Sequence, residues 1–300
     1  MKHSPHIALL AANALLGANF SFYASLYAEG VGYAEIFLMQ IVVSALIFTP
    51  FAGLFYRSHK RLTLEDFGSI FTIALVVIFG WLYLLTRGAS LTNPIDASTL
   101  STIGPIVTLI IAYTTRAELP SKMHIAGMVV ALAGAVTMLI DRRITSEGSS
   151  TIYIGDALVA ISVVAAAIHT TLARQQLQRY GALTVIALYF AIGTTLALPI
   201  LWSNFIALLH RNITAAIGAE MLYIALFGTV LPFWLLYTAT PQVSSSVAAS
   251  YRYMQPLTAI VMAIVRGQTT PDNTNILGMI VIIFGVILLG VATERSSATL

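Results

Sequence analysis

The sequence predicts an all-α polytopic membrane protein, with ten transmembrane helices arranged as two inverted five-helix repeats. Two observations carry this prediction. The 300 residues are 58% apolar and only 9% charged, and much of the first half recurs in the second half at a fixed offset. A soluble domain carries about 25% charged residues, because apolar side chains alone do not solvate a surface. The composition therefore excludes an ordinary soluble enzyme and a disordered chain.

Charge and cysteine content exclude further classes of protein. The net charge of +3 is spread along the chain, so no basic patch is available to follow a phosphate backbone, and we expect no nucleic-acid partner. The chain has no cysteine, which rules out thiolate catalysis, disulfides and cysteine-based metal sites. We expect no metal and no cofactor.

Ten apolar segments follow one another with short loops between them. A helix needs about 20 residues to cross about 30 Å of hydrocarbon, and the chain has room for ten. The predicted spans cover 7–28, 33–56, 67–87, 95–114, 123–140, 154–174, 183–208, 218–238, 245–265 and 275–293. The loops leave no room for a soluble domain.

Lysine and arginine in the loops predict the orientation. With the N-terminus inside, the inside segments carry nine of these residues and the outside segments five. Over the N-terminus and the first four connections the ratio is six to one. Positively charged loops stay on the cytoplasmic side, so both termini are predicted to be cytoplasmic.

An internal repeat links the two halves. At an offset of 151 residues, 94–136 aligns with the second half without a gap, and prolines and glycines coincide. The coinciding pairs are Pro105 with Pro256, Pro120 with Pro271, Gly127 with Gly278, and Gly134 with Gly285. We predict one repeat over 1–145 and the other over 150–293. Five is an odd number of spans, so the second copy enters the membrane from the opposite side, and such inverted repeats build a substrate site at their interface.

Two ionisable residues fall deep inside predicted spans, where such residues are expensive and are functional candidates. His169 titrates in a range that suits proton coupling or substrate binding, and it could instead bond a neighbouring helix. Arg252 could meet a substrate carboxylate, or it could snorkel to the headgroups or form a structural pair. Four acidic residues lie near span ends and are expected to be solvated: Glu35, Asp96, Asp156 and Glu220.

Amides and aromatic rings supply further candidates for the substrate site. Asn19 and Gln40 lie near the midplane, where a buried amide needs partners from a substrate or from another helix. Tyr83 and Trp234 correspond at offset 151, and Tyr237 follows one turn later. Rings at equivalent positions of inverted halves would flank one cavity and stack on a flat substrate, although packing or an interfacial belt would also explain them.

Pro105 and Pro256 occupy the middle of the fourth and ninth spans. Each lacks an N–H group and crowds the carbonyl four residues earlier, at Ser101 and Arg252. Paired helix breaks in corresponding spans point to a transport site, so we predict that both prolines act as hinges. A static kink is the alternative.

The order and spacing of several short motifs resemble the drug/metabolite transporter superfamily, in its EamA-type ten-helix branch. The motifs are Leu16-Gly17-Ala18-Asn19-Phe20, Ala97-Ser98-Thr99-Leu100, Gly104-Pro105, Gly228-Thr229, Leu236-Tyr237 and Gln255-Pro256. The likeness covers essentially the whole chain. It implies export of metabolites or drugs across the bacterial inner membrane by alternating access, driven by an ion gradient or run as facilitated flux.

Three positions depart from that family pattern. Leu16 stands where a tryptophan is common, Gln40 where an arginine is common, and Gln255 where a glutamate is common. A less charged pore suits a neutral or zwitterionic, partly aromatic substrate, and the bacterial aromatic amino-acid exporters are the nearest branch by resemblance. The expected partners are a small-molecule substrate and membrane lipid, and we expect a monomer.

Other functions are less well supported by the residues. A passive channel needs a ring of like groups along a continuous pore, which two inverted repeats do not readily build. An intramembrane enzyme needs a nucleophile with a base, and Gly88-Ala89-Ser90 lacks the second glycine of a nucleophile elbow. A non-transporting membrane scaffold is the remaining alternative.

Overall fold

The computed structural model of the chain describes residues 4–55, 62–114, 121–145, 150–270 and 273–298, and no strand occurs among them. The fold is all-helical, as predicted. In chain order the helices are α1 Ser4–Ala28, α2 Tyr33–Phe55, α3 Leu64–Ala89, α4 94–114, α5 Lys122–Thr145, α6 Ser150–Tyr180, α7 Ala182–Ile200, α8 Trp202–His210, α9 Ala215–Gln242, α10 245–265 and α11 Asn273–Ala298.

Seven of these helices are long and apolar enough to span a membrane: α1, α2, α3, α4, α6, α7 and α9. Shorter apolar helical stretches cover Lys122–Thr137 in α5 and Ile276–Leu288 in α11. The chain is therefore a multi-pass membrane protein, while the count of ten spans stays a prediction. The cations Lys2, Arg57, Lys60, Arg61 and Arg116, used to predict the orientation, and the pair Pro120 and Pro271 lie outside the described residues.

Helix ends follow the local sequence. Thr63 and Asp66 form a capping box that starts α3, and the Ser244 side chain accepts the Val247 N–H where α10 begins. Gly30 after α1 and Gly181 after α6 have φ of +73° and +80°, a conformation that favours glycine. These two glycines are 151 residues apart, so the repeat extends to the turns.

Each half contains a helix that widens at its centre. Residues Val76–Tyr83 of α3 and Leu226–Val230 of α9 have π-helical hydrogen bonding, and the two segments begin 150 residues apart. In α9 the Thr229 hydroxyl donates to the Ile224 carbonyl five residues earlier, at 3.0 Å. π turns frequently mark functional sites. The segment of α3 packs on α6, and the segment of α9 packs on α1 and α2.

The two central prolines each follow a tightened turn. Residues Ser101–Ile103 precede Pro105, and Tyr251–Tyr253 precede Pro256, and both short segments are 3₁₀-helical. Each proline lacks the N–H of a regular helix and crowds the carbonyl four residues before it, which is the stretch that tightens. The helix irregularity therefore lies where the prolines predict it. Its role as a hinge stays a prediction.

The packing of the helices is nearly symmetric between the halves. α1 packs on α9 and α10, and α6 packs on the corresponding helices α3 and α4, while α2 packs on α7 and α5 on α11. Two side-chain hydrogen bonds show the relative direction of α1 and α10. His6 bonds to Tyr251, and Ser21 bonds to Gln268, so the two helices run parallel. We call the end where α1 begins the proximal end and the other the distal end.

The directions of α3 and α6 follow in the same way. Tyr27 near the end of α1 bonds the Thr86 carbonyl near the end of α3, so these helices are parallel. Asp66 at the start of α3 pairs with Arg179 near the end of α6, so α6 runs antiparallel to α3. α1 and α6 are therefore antiparallel to each other.

Small residues allow close approach at the α5–α11 contact. A Cβ on Gly134 would lie 2.7 Å from the Gly278 carbonyl oxygen, and a Cβ on Gly285 would lie 2.5 Å from the Ala131 backbone nitrogen. Ala131 and Ala135 are buried at this contact. The stripe of small residues on α5 thus serves helix packing.

Two sequence expectations are wrong. The predicted span over 183–208 stops at Ile200, because Pro199 weakens the helix and Leu201 takes a non-helical conformation with ψ of 26°. α8 follows as a separate short helix with no buried residue. The four acidic residues expected to be solvated are not freely exposed: Glu35, Asp96 and Asp156 are buried, and Glu220 is partly buried.

Candidate functional site

Two cavities lie end to end in the middle of the bundle. The proximal and distal cavities are similar in size. Polar groups of the proximal cavity include Asn13, His169, Thr170, Tyr237 and Thr240. Those of the distal cavity include Asn19, Tyr23, Ser101 and Gln255. Both halves of the chain contribute to each cavity.

Three residues line both cavities and separate them: Leu16 from α1, Trp81 from α3 and Arg252 from α10. The Arg252 guanidinium carbon lies 5.5 Å from the centroid of the Trp81 ring. A guanidinium at this distance from an indole face makes a cation–π contact. We call these three residues the partition.

Aromatic rings surround the partition. Trp81 stacks on His169 with ring centroids 5.7 Å apart, and His169 stacks on Tyr237 at 5.2 Å. Trp81 also stacks on Phe233 at 5.0 Å, and Tyr189 meets Tyr237 edge to face at 5.9 Å. The proximal cavity therefore presents flat apolar surface beside a cation.

Arg252 is a buried cation without a counter-charge in the part of the chain that the structure describes. Arg252 is only 8% exposed, and no carboxylate among the described residues lies within ion-pair distance of its guanidinium. The desolvation of a buried ion costs several kcal/mol, whereas a cation–π contact returns about 0.5–2 kcal/mol. The side chain does not snorkel to a membrane surface. Its environment favours an anion that arrives from one of the cavities.

Several buried polar atoms near the cavities also lack hydrogen-bond partners among the described residues. They are both ring nitrogens of His169, the Tyr237 hydroxyl and the Asn19 carbonyl oxygen. His169 and Tyr237 line the proximal cavity, and Asn19 lines the distal one. Unpaired buried polar groups cost about 1–3 kcal/mol each, so a polar ligand or water in the cavities would satisfy them. His169 contacts its neighbours by ring stacking rather than by the interhelical bond considered from the sequence.

Gln40 does not line either cavity. Its side chain is fully buried and donates to the Tyr23 hydroxyl at 2.9 Å and to the Thr229 hydroxyl at 2.7 Å. These bonds join α2 to α1 and to the π segment of α9. Gln40 therefore connects helices, and its side chain does not reach a substrate in either cavity in this conformation.

Tyr83 and Trp234 do not reach the cavities, which corrects their predicted placement. Tyr83 packs against Tyr33 and Phe37 of α2, and Trp234 is 44% exposed. Trp81, at 4% exposed, and Phe233, at 1%, lie at the centre instead. The reason is helical phase: Val77, Trp81 and Leu85 share the buried stripe of α3, and Tyr83 falls on another face.

Asn13 and Gln255 form a bonded pair that the sequence did not predict. The Gln255 amide donates to the Asn13 carbonyl oxygen at 3.0 Å, with both side chains buried. Asn13 precedes Leu16 by three residues and Phe20 by seven, and this helical spacing would have identified the cavity face of α1.

Contacts between the halves close both ends of the bundle. At the distal end Arg211 binds Glu35 at 2.9 Å and the Gly30 carbonyl at 2.7 Å. At the proximal end Arg179 binds Asp66 at 2.6 Å. A second distal group unites Glu220, Arg266 and Ser25. The cavities therefore lie between two sets of inter-half contacts.

Comparison with known proteins identifies the architecture. Residues 3–140 and 153–291 each match the profile of the EamA-like transporter family. The chain belongs to the EamA-like transporter family. Its two halves match the same profile, as expected for the internal repeat seen in the prolines, the glycines and the π segments. Members of this family are multi-pass membrane transporters, and the apolar helices of this EamA-like protein agree with that.

Individual relatives of this EamA-like protein are also transporters by name. An uncharacterized transporter of Bacillus subtilis, YetK, is 19% identical over 98% of this chain and 88% of its own. A probable terminal-alkyne amino-acid exporter of Streptantibioticus cattleyicolor is 26% identical over 87% of this chain and 85% of its own. A crystal structure with 14% identity superimposes with a TM-score of 0.73 over 96% of this chain and 97% of its own, and so shares the fold.

The two possible roles of His169 can be separated by substitution. His169→Phe keeps a ring for stacking between Trp81 and Tyr237 but removes both nitrogens. If the nitrogens bind the substrate, affinity is expected to fall about 2- to 13-fold, the equivalent of one neutral hydrogen bond of about 0.5–1.5 kcal/mol. The measurement is substrate affinity in purified protein, with His169→Ala as the variant that also removes the stack. Unchanged affinity in His169→Phe would leave His169 a packing residue only.

Proposed function

We propose that this protein is a secondary transporter that exports small zwitterionic amino acids with apolar or aromatic side chains. Arg252 binds the substrate carboxylate, and the rings of Trp81, His169 and Tyr237 hold the side chain. The observation that carries the proposal is the buried Arg252 at the junction of two cavities, which has no ion-pair partner among the described residues. A guanidinium binds a carboxylate through two parallel hydrogen bonds, which gives both strength and orientation.

The relative in Streptantibioticus cattleyicolor supports an amino-acid substrate, since it is named a probable terminal-alkyne amino-acid exporter. The low charge of the cavity lining supports a substrate with little net charge. Arg252 compensates the carboxylate, and the α-ammonium group meets uncharged polar residues of the cavity lining, such as Thr170 and Thr240.

Transport proceeds by alternating access between two inverted five-helix repeats, over 1–145 and 150–293. The antiparallel directions of α1 and α6 and the symmetric packing of their partners support the inversion. Contacts at both ends give each side a closure that can open while the other stays shut. The 3₁₀ turns before Pro105 and Pro256 are the hinges of this exchange.

The protein resides in the bacterial inner membrane with both termini in the cytoplasm, as the distribution of lysine and arginine supports. The proximal end is then cytoplasmic and the distal end periplasmic. A passive channel requires a continuous pore, and the partition of Leu16, Trp81 and Arg252 interrupts the path between the cavities.

A binding panel on the purified protein tests the substrate class. L-phenylalanine, L-leucine and L-alanine are compared with phenylalaninamide and phenylethylamine by thermal shift and calorimetry. We expect the amino acids to bind and the two analogues without a carboxylate to bind about 10- to 150-fold more weakly, because each loses a charged hydrogen-bond pair of about 1.5–3 kcal/mol. Equal binding of phenylalanine and phenylethylamine would contradict the role of Arg252. No binding of any panel member would contradict the amino-acid substrate class.

A further inference from the structure

The contact between Arg252 and Trp81 has two properties that belong to a switch. It lies in the wall between the proximal and distal cavities, since both residues line both. It also holds a cation that has no carboxylate partner among the described residues. The group that lies between the cavities is therefore also a cation that is available to an anion.

We propose that the substrate carboxylate opens the partition. The carboxylate draws the Arg252 guanidinium away from the Trp81 ring, so that substrate binding and the joining of the two cavities are one event. This inference rests on the proposed function and adds a role for Trp81, which acts as the closure that Arg252 holds in place.

The energies of the competing contacts favour this exchange. A guanidinium gains more from two charged hydrogen bonds with a carboxylate than from one aromatic face. The Trp81 ring is held by stacking on His169 and Phe233, so the arginine is the more mobile partner. Arginine has a long flexible stem, and tryptophan has only two side-chain torsions.

The Arg252 stem packs closely on Gly104, which carries no side chain. The stem crosses Gly104, where an added Cβ would lie 2.9 Å from the Arg252 Cδ atom. Gly104 belongs to the Gly-Pro turn of α4, which corresponds to the turn that carries Arg252 itself. The absence of a side chain at 104 leaves the space in which the Arg252 stem lies and so sets the position from which the guanidinium reaches the indole.

Specificity follows from this arrangement. A solute without a carboxylate leaves Arg252 on Trp81, so the cavities stay separate even when the solute enters one of them. The transporter without bound substrate then keeps its path closed at the centre as well as at its ends. The device thereby couples passage to the chemical class of the cargo rather than to its size.

Trp81 can report on this exchange directly, because the chain has three tryptophans and the other two are largely exposed. Trp202→Phe and Trp234→Phe together leave Trp81 as the single emitter. Its emission and its quenching by acrylamide are measured in detergent-purified protein during titration with L-alanine, L-phenylalanine and phenylethylamine. Alanine is included because its methyl group is too small to cover the indole. Binding is followed in the same samples by thermal shift.

We expect saturating alanine and phenylalanine to shift Trp81 emission to longer wavelength and to raise its quenching constant, and phenylethylamine to change neither. Arg252→Gln in the same background is expected to show the opened emission and quenching without any ligand, and Arg252→Lys an intermediate response. Amino acids that bind while Trp81 emission and quenching stay constant would overturn the switch and leave the proposed function standing. A thermal shift absent for every amino acid would instead contradict the proposed function.

Discussion

Replacing Arg252 by glutamine is expected to reduce amino-acid affinity and transport by about 10- to 150-fold. The substitution removes the guanidinium that binds the carboxylate, and a charged hydrogen-bond pair contributes about 1.5–3 kcal/mol. Arg252→Lys retains the charge but loses the planar fork, so it is expected to fall between the wild type and Arg252→Gln.

The same substitution is expected to leave the fold intact or to make it more stable. Removing a buried charge that has no ion-pair partner among the described residues relieves a desolvation cost of several kcal/mol, and glutamine is uncharged and smaller than arginine. Arg87→Gln is the matched control, since Arg87 is exposed at the distal end and lines neither cavity. Transport and thermal unfolding are measured for both variants. Wild-type transport in Arg252→Gln, or loss of folding in that variant, would contradict the account of a cation held ready for a ligand.

Replacing Gly17 by alanine is expected to have the largest effect on the fold. A Cβ at position 17 would overlap Thr258 and lie 2.7 Å from the Gln255 Cα atom. A backbone atom cannot move aside as a flexible side chain does, so α1 and α10 would have to separate. Overpacking of this kind costs about 1–3 kcal/mol, and the displaced α10 carries both Gln255 and Arg252.

Gly68→Ala is the matched control for Gly17→Ala. Gly68 lies in α3 with no neighbour within 4 Å of its would-be Cβ, so alanine is expected to be neutral or to stabilise by up to about 1 kcal/mol through helix propensity. The measurement is the midpoint of unfolding together with amino-acid affinity for the two purified variants. Similar midpoints and affinities would mean that the approach of α1 to α10 is not as close as described.

Composition and the internal repeat predicted much of the fold. The all-helical chain and the irregular turns before Pro105 and Pro256 follow from hydropathy and from the missing proline N–H groups. The break at Leu201 was missed because the apolar run continues through it, and hydropathy does not register a local change of ψ.

The candidate site could be predicted only in part. Four of the predicted residues line the cavities: Arg252, His169, Asn19 and Tyr237. A polar residue within an apolar span avoids lipid and therefore faces the interior of the bundle. Trp81 was missed because the alignment of the repeats favoured Tyr83, which lies on another face of the same helix.

The ion pairs were beyond the reach of sequence reasoning for a different reason. Glu35 and Arg211 are 176 positions apart, and nothing in the local pattern around either residue indicates the other. Only the packing of α2 and α8 in one bundle brings them together. For this reason the sequence placed Glu35 and Glu220 in solvent, whereas in the structure they bind residues of the other half of the chain.

Exchange transport in liposomes tests the central claim most directly. Purified protein is reconstituted into liposomes whose lumen holds unlabelled L-phenylalanine, phenylethylamine or no solute, and the entry of labelled L-phenylalanine is followed. We expect labelled phenylalanine to accumulate transiently only when the lumen holds the amino acid, and the accumulation to be lost in Arg252→Gln but kept in Arg87→Gln. Accumulation driven equally by phenylethylamine, or full activity in Arg252→Gln, would contradict a carboxylate-dependent transporter centred on Arg252.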